Sequence, residues 1–199
     1  MKKVIYALHI IIASFLLQAC HNDAEKTDSV EKAKNMNAKK DSLAEKTGSV
    51  TADSLLANKE AADFAVTAAN ISMMEIELGK LARRHAASKR VKDLAALVIQ
   101  DHRDAVTKLK KIALEKNIVL PAKPGAKAQK IIDTLSKKKG VNFDSSYIHL
   151  LADNTKKAAD DYKKASDGFL DTAFKNFSVP VLHALLLHLD YAKAISSKK

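Results

Sequence analysis

Apolar side chains recur at alternating steps of three and four residues in four separate stretches of the chain. This spacing places them on one face of an α-helix, because residues three and four apart are neighbours on the helix surface. The four stripes are Phe64, Ala68, Ile71, Glu75, Leu78 and Ala82; Val91, Ala95, Val98, His102, Ala105, Leu109 and Ile112; Phe143, Tyr147, Leu151, Thr155, Ala158, Tyr162 and Ala165; and Phe177, Val181, Ala184, His188, Tyr191 and Ile195. The pattern predicts four long helices that share a core.

Proline and glycine mark the boundaries between these helices. The second helix is expected to end where two prolines and a glycine within residues 121–125 break the pattern. A short helix follows over residues 126–138, stopped by Gly140. Pro180 lies inside the fourth stripe and predicts a kink or a helix start there. The predicted fold class is all-α, an up-down-up-down four-helix bundle with an extra short helix between the second and third long helices.

Composition excludes several other classes. Five glycines and three prolines in 199 residues are too few for the turns of a β-sandwich or for a glycine-rich phosphate loop. One cysteine cannot form an internal disulfide or a multi-thiolate metal site. The net charge of +11 comes from lysines spread along every helix, without a recognised nucleic-acid-binding motif. We therefore expect no nucleic-acid partner and a solvated basic surface attracted to anionic membranes.

The N-terminus carries the clearest functional signal. Lys2 and Lys3 precede the apolar run 4–17, which is shorter than the roughly 20 residues that a membrane span needs. The run ends in Leu17-Gln18-Ala19-Cys20, which resembles the cleavage box of bacterial lipoproteins. Residues 1–19 are then a lipoprotein signal peptide, and Cys20 is the lipidated first residue. The alternative is an ordinary cleaved signal followed by an incidental cysteine; the lipoprotein is preferred because the chain's sole cysteine falls at the lipidation position.

Two further segments follow the signal. Residues 20–58 contain no aromatic side chain and too little apolar surface to offset chain entropy, so they are predicted to be a flexible tether; some helix around Leu43 is open, but nothing in the sequence requires it. Residues 59–199 are long enough for one domain, the helical bundle, with a substantial core.

Each stripe is apolar except near its middle. Glu75, His102, the Asn154-Thr155 pair and His188 occupy positions where core side chains are expected. At about 1.5 Å of rise per residue they lie at similar heights along the predicted helices. The sequence therefore predicts one polar layer at mid-height of the bundle.

Two interpretations of this layer are open. Glu75, His102 and His188 form a ligand set suited to one divalent metal, zinc or non-haem iron, with Asp101 as a further ligand or as an acceptor that orients an imidazole. The other interpretation, which we prefer, is a buried hydrogen-bonded network in which Glu75 pairs with one or both histidines and a tyrosine, 147 or 191, completes it. Three further histidines are predicted to be solvent-exposed: His85, His149 and His183.

The residues around these positions resemble a known family. The matching motifs are Glu75-Ile76-Glu77-Leu78-Gly79-Lys80-Leu81-Ala82, Asp101-His102, Phe143-Asp144-Ser145-Ser146-Tyr147 and His188-Leu189-Asp190-Tyr191-Ala192. In order and spacing, residues 60–196 resemble the exported bacterial family called domain of unknown function 4142. The resemblance implies a ferritin-like four-helix bundle outside the cytoplasm, in proteins described as outer-membrane, with no established biochemical activity. The family motifs map onto Glu75, Asp101, His102 and His188.

The chain departs from that family at two places. Relatives usually repeat Asp-His in the third long helix, where this chain has Asn154-Thr155, and a proline expected before the last histidine is replaced by His183. Ferritins and related di-iron enzymes use Glu-x-x-His pairs, and this sequence contains none. Dinuclear ferroxidase chemistry is therefore not expected.

Two functional hypotheses follow. The preferred one is a non-catalytic envelope lipoprotein, held in the membrane through Cys20, whose bundle binds a protein partner or supports the envelope. Its expected location is the outer membrane, facing the periplasm or the cell surface, and no cofactor is required. The alternative is a metal-binding protein or metal-dependent oxidoreductase that uses Glu75, His102, His188 and Asp101 with one divalent metal.

Overall fold

The computed structural model describes residues 28–168 and 171–197. All regular structure in these ranges is α-helical, which confirms the all-α prediction. The six helices are α1 (Ser29–Lys46), α2 (Ala52–His85), α3 (Lys89–Glu115), α4 (Ala126–Ser136), α5 (Gly140–Gly168) and α6 (Thr172–Ser196). None of these described helices is long and apolar enough to cross a membrane. The predicted signal 1–19 and Cys20 lie outside the described residues.

Side-chain caps set the start of the two helices whose N-termini differ from the prediction. Helix α2 begins at Ala52, before the predicted boundary at 59, and the Thr51 hydroxyl accepts from the Ser54 amide. Helix α6 begins at Thr172 because Asp171 caps it, and it continues through Pro180. Pro180 is therefore inside a helix rather than at its start.

Helix α1 lies within the segment 20–58 that the sequence predicts to be a flexible tether. The structure differs from that expectation from Ser29 onward, because α1 packs on α2 and on the loop after α3. The side-chain amide of Asn37 donates from Nδ2 to the Val119 carbonyl oxygen at 3.0 Å, and its Oδ1 accepts from the Val119 backbone N–H at 2.7 Å. Only Ala33 and Asn37 of α1 are buried, so polar contacts with the loop after α3, and not an apolar stripe, hold the helix; Lys40 adds to them by donating to the Asn117 carbonyl oxygen. Hydrophobic periodicity does not predict hydrogen bonds of this kind, because they leave no apolar stripe on the helix.

An Asn37→Ala variant is expected to loosen α1 while leaving the bundle folded. The change leaves both backbone groups of Val119 without their partner, and an unsatisfied polar group costs about 1–3 kcal/mol. Amide hydrogen exchange across residues 29–46 should therefore accelerate at unchanged helix content elsewhere. Asn35→Ala, on the exposed face of the same helix, is the control. Equal exchange rates in the two variants would contradict this account of α1.

The four long helices pack in a ring. Helix α2 contacts α3 and α5, and α6 contacts the same two helices from the other side. Helix α4 packs on α2 and α5. At Gly79 the α2 backbone comes close to α3, since a Cβ there would lie 2.7 Å from Ile99 Cγ1.

Two apolar clusters fill the ring, one at each end, and they show the direction of each helix. The first cluster holds the C-terminal half of α2, the N-terminal halves of α3 and α5, helix α4 and Ala192 near the end of α6. The second holds the N-terminal halves of α2 and α6 and the C-terminal halves of α3 and α5. Helices α3 and α5 therefore run in the same direction, and the predicted up-down-up-down order is wrong. The loop after α3, together with α4, carries the chain back along the bundle before α5 begins.

Candidate functional site

A layer of buried polar side chains separates the two apolar clusters. Each of the four long helices contributes to it at the point where its apolar residues pass from one cluster to the other. The buried members, with their exposed fractions, are Ser72 2%, Glu75 1%, His102 4%, Thr155 2% and His188 1%. The polar layer predicted at mid-height is therefore present, and its chemistry depends on how these side chains are paired.

Glu75 is paired with an amide. Its Oε1 accepts from Asn154 Nδ2 of α5 at 2.9 Å. Burial raises the pKa of Glu75 to about 7, although the Asn154 hydrogen bond opposes the shift. The second oxygen, Oε2, and the Tyr147 hydroxyl are buried without hydrogen-bond partners in the described part of the chain. Burial, and secondarily the Glu75 charge, raises the pKa of Tyr147.

His102 is part of a short polar chain between helices. Its Nδ1 lies 3.2 Å from Ser72 Oγ, and Ser72 also bonds the buried Tyr162 hydroxyl. Burial lowers the pKa of His102 to about 3, and the neighbouring His188 adds to the shift. The imidazole is therefore neutral across the physiological range. Its Nε2 is buried and has no hydrogen-bond partner among residues 28–168 and 171–197.

His188 is oriented by a carboxylate. Its Nε2 lies 2.8 Å from Asp101 Oδ2. A carboxylate accepts hydrogen bonds, so the proton of the neutral ring is on Nε2 and the lone pair is on Nδ1. That Nδ1 is buried with no partner in the described ranges. Burial lowers the pKa of His188, while the Asp101 hydrogen bond and charge act in the opposite direction.

The predicted site residues are only partly brought together. The rings of His102 and His188 lie side by side, with centroids 5.9 Å apart. Asp101 reaches His188, as the orienting role requires, but Glu75 bonds Asn154 instead of a histidine. Within the described residues no three His, Cys, Asp or Glu side chains are grouped so that they could hold a metal ion.

The sequence pattern does not predict two of the buried hydrogen-bond partners, and it places one tyrosine wrongly. Ser72 and Tyr162 complete the polar chain that begins at His102. Both are at helical spacing from predicted layer residues, but that spacing does not predict their hydrogen bonds. Tyr191 is 49% exposed and lies outside the layer. Of the remaining histidines, His149 and His183 are exposed as predicted, whereas His85 is half-buried and contacts the Lys138 carbonyl at a helix end.

A small cleft between α3 and α6 leads from solvent to the histidines. Its volume is about 140 Å³. The residues that line it are Asp101, His102, Asp104, Ala105 and Lys108 from α3, and Pro180, Val181, Ala184, Leu185 and His188 from α6. The Nδ1 lone pair of His188 is the one that Asp101 leaves available to accept a proton or bind a cation.

These features define an all-helical bundle with a buried polar layer between two apolar clusters. The family model for a domain of unknown function, DUF4142, matches residues 45–195. The chain therefore belongs to the DUF4142 family, and the resemblance seen in the sequence is confirmed at that level. Neither a curated protein nor a solved structure matches the chain.

Proposed function

We propose that the chain is an exported, lipid-anchored protein of the bacterial envelope whose helical bundle is a binding or structural module. The observation that carries the proposal is the position of the sole cysteine, directly after the apolar run and the Leu17-Gln18-Ala19 box. Acyl chains contribute about 0.8 kcal/mol per buried methylene, so a multiply acylated Cys20 anchors a protein stably. The membrane proposed is the outer one, with the bundle facing the periplasm or the cell surface.

The start of α1 limits how far the bundle can stand from a bilayer. Only residues 21–27 separate Cys20 from Asp28, which caps α1. A chain spans at most about 3.6 Å per residue, so the cap lies within about 30 Å of the lipidated residue. A bundle anchored in this way works next to the membrane surface, and a partner would be met there.

A Cys20→Ala substitution tests the anchor. Wild-type protein should enter the detergent-soluble membrane fraction after processing that globomycin blocks, whereas Cys20→Ala should remain unprocessed. Gln18→Ala is the matched control, because it alters the box without removing the acylated residue and should be processed like wild type. A density gradient then tests outer-membrane placement. Processing of Cys20→Ala at the wild-type rate, or a mature wild-type protein with an unmodified Cys20 thiol, would overturn the anchor.

We also propose that the bundle has the ferritin-like arrangement. The support is the ring in which every long helix runs antiparallel to its two neighbours, closed by one long connection between α3 and α5. One crossover connection is the feature that distinguishes ferritin-like bundles from simple up-and-down bundles. An experimental structure in which α3 and α5 run in opposite directions would contradict it.

The polar layer supports a structural use of the bundle. Asn154 of α5 bonds Glu75 of α2, and Ser72 of α2 bonds His102 of α3. Hydrogen bonds between buried groups on different helices favour one helix register over others. This use requires no cofactor and no reaction.

A metal-binding protein or metal-dependent oxidoreductase is the second candidate. It is favoured by the Asp101–His188 pair, because metal-ligating histidines commonly donate their other N–H to a carboxylate. His188 Nδ1 and His102 Nε2 would be the nitrogen ligands, with the Glu75 carboxylate to complete the set if it left Asn154. Elemental analysis of protein purified without a histidine tag separates the candidates. Stoichiometric zinc or iron, lost in His102→Gln and His188→Gln but kept in His149→Gln, would favour the metal; its lack in wild type would favour the structural module.

A further inference from the structure

The outward face of α6 has an unusual lack of charge for this chain. The stretch 176–189 contains no Lys, Arg, Asp or Glu, in a chain with 34 basic and 23 acidic residues. The C-terminal halves of α3 and α5, by contrast, carry exposed lysines, namely Lys108, Lys110, Lys111, Lys156, Lys157, Lys163 and Lys164. Between Lys175 and Asp190, the outward face of α6 therefore carries no charged side chain.

Large apolar side chains are exposed on this face. Val179 is 58% exposed, Leu186 46% and Leu187 40%. They lie opposite the side of α6 that packs on α3 and α5, where Phe177 and Leu185 are buried. Val179 and Leu186 are seven residues apart, with the exposed His183 between them, which is the spacing of a stripe that can pair with another helix.

We propose that this face of α6 binds the same face of a second copy of the chain, in antiparallel orientation about a twofold axis between residues 182 and 183. In that register Val179 of each copy lies opposite Leu186 of the other. The same register places Lys175 opposite Asp190 of the second copy, so the stripe ends in two ion pairs. The surface is thus self-complementary in shape and in charge, as a twofold interface must be.

Net charge favours this face over a lysine-bearing face for contact with a second copy. Two copies of a chain with more basic than acidic residues repel each other, and approach through any lysine-bearing face adds like-charge contacts. The uncharged stripe removes that penalty and offers apolar burial instead. The contact does not depend on the lipid anchor, since every residue in it lies on α6.

The size of the stripe predicts a reversible dimer. From Lys175 to Asp190 the helix is about 22 Å long at 1.5 Å per residue, and one helix wide. Such a patch buries less than the roughly 800 Å² per partner of a standard stable interface. Association should therefore rise with protein concentration from micromolar to millimolar.

Charge reversal at the two ends tests the register. Sedimentation equilibrium of the full-length protein in density-matched detergent should show a monomer–dimer equilibrium. Lys175→Glu and Asp190→Lys should each weaken it about tenfold, because two attractive pairs become repulsive, and the double variant should restore it. Leu186→Glu should abolish it. Lys157→Glu and Asp161→Lys, exposed on α5, are charge-matched controls with little expected effect.

Several results would overturn the proposal. A wild-type protein that stays monomeric to millimolar concentration has no such interface. A dimer that survives Leu186→Glu uses another surface, and a double charge reversal that fails to restore association excludes this register. Circular dichroism of each variant shows whether the helices remain folded. Association of the stripe with lipid vesicles or another protein, in place of a second copy, would also contradict it.

Discussion

A His102→Gln variant is expected to resist acid better than the wild-type protein. The unfolded chain protonates this histidine near its ordinary pKa of 6.5, whereas burial in the folded protein lowers the pKa to about 3. Between these values the unfolded state binds more protons at this residue, so the contribution of His102 to wild-type stability falls as the pH falls. At about 1.4 kcal/mol per pH unit the loss through this one group is on the order of 5 kcal/mol by pH 3. Glutamine has no such proton to take up.

Denaturant unfolding of the variant and the wild type across pH 3 to 7 measures the difference. His149→Gln, which removes an exposed histidine from α5, is the control and should follow the wild-type curve. Acid sensitivity that remains in His102→Gln belongs to His188, whose pKa burial also lowers, and to the ordinary carboxylates. If both variants lose stability in acid as the wild type does, His102 is not held neutral by burial.

A Glu75→Gln variant is expected to be more stable than the wild type at pH 8 by about 3 kcal/mol, and equally stable near pH 4. The pKa of Glu75 rises from its ordinary 4.5 to about 7 on folding because the carboxyl is buried. The folded state therefore holds more protons at this residue in this window, and the contribution of Glu75 to wild-type stability falls as the pH rises through it. Glutamine resembles the protonated carboxyl and can still accept from Asn154.

The same unfolding measurement from pH 4 to 8 tests Glu75→Gln. Glu60→Gln, an exposed carboxyl on the same helix, is the control and should show no comparable gain. The effects of His102 and Glu75 have opposite signs between pH 4.5 and 6.5, so they nearly cancel in the wild type. Each single variant should therefore show the pH dependence of stability that the remaining residue causes. A Glu75→Gln protein less stable than wild type at pH 8 would mean that the ionised carboxylate is stabilised by a partner.

The candidate site shows how far sequence reasoning extends. The sequence predicts Glu75, His102 and His188 in one buried layer because each interrupts an apolar stripe at mid-helix, and the position of a residue in its stripe depends only on local spacing. Their partners were not determined in this way. Glu75 accepts a hydrogen bond from Asn154 and not from a histidine, and Asp101 bonds His188. These side-chain contacts depend on which helices are neighbours and on how each helix is rotated.

Two features of the fold could not be predicted from the hydrophobic pattern, for a similar reason. The parallel run of α3 and α5 follows from the path of the loop after α3 and of α4, which carry the chain the length of the bundle. Helix α1 is held by polar contacts such as Asn37 with the Val119 backbone, between residues far apart in sequence.

By itself the sequence determined the number of long helices in the bundle, the face each one buries, the height of the polar layer and the position of the sole cysteine. These are properties of local spacing, and the helix period of 3.6 residues makes them readable without knowledge of any neighbour. The tertiary structure alone decided the direction of α5, the docking of α1 and the pairing of each buried polar group. Those depend on which surfaces meet, and contacts between distant residues leave no periodic trace along the chain.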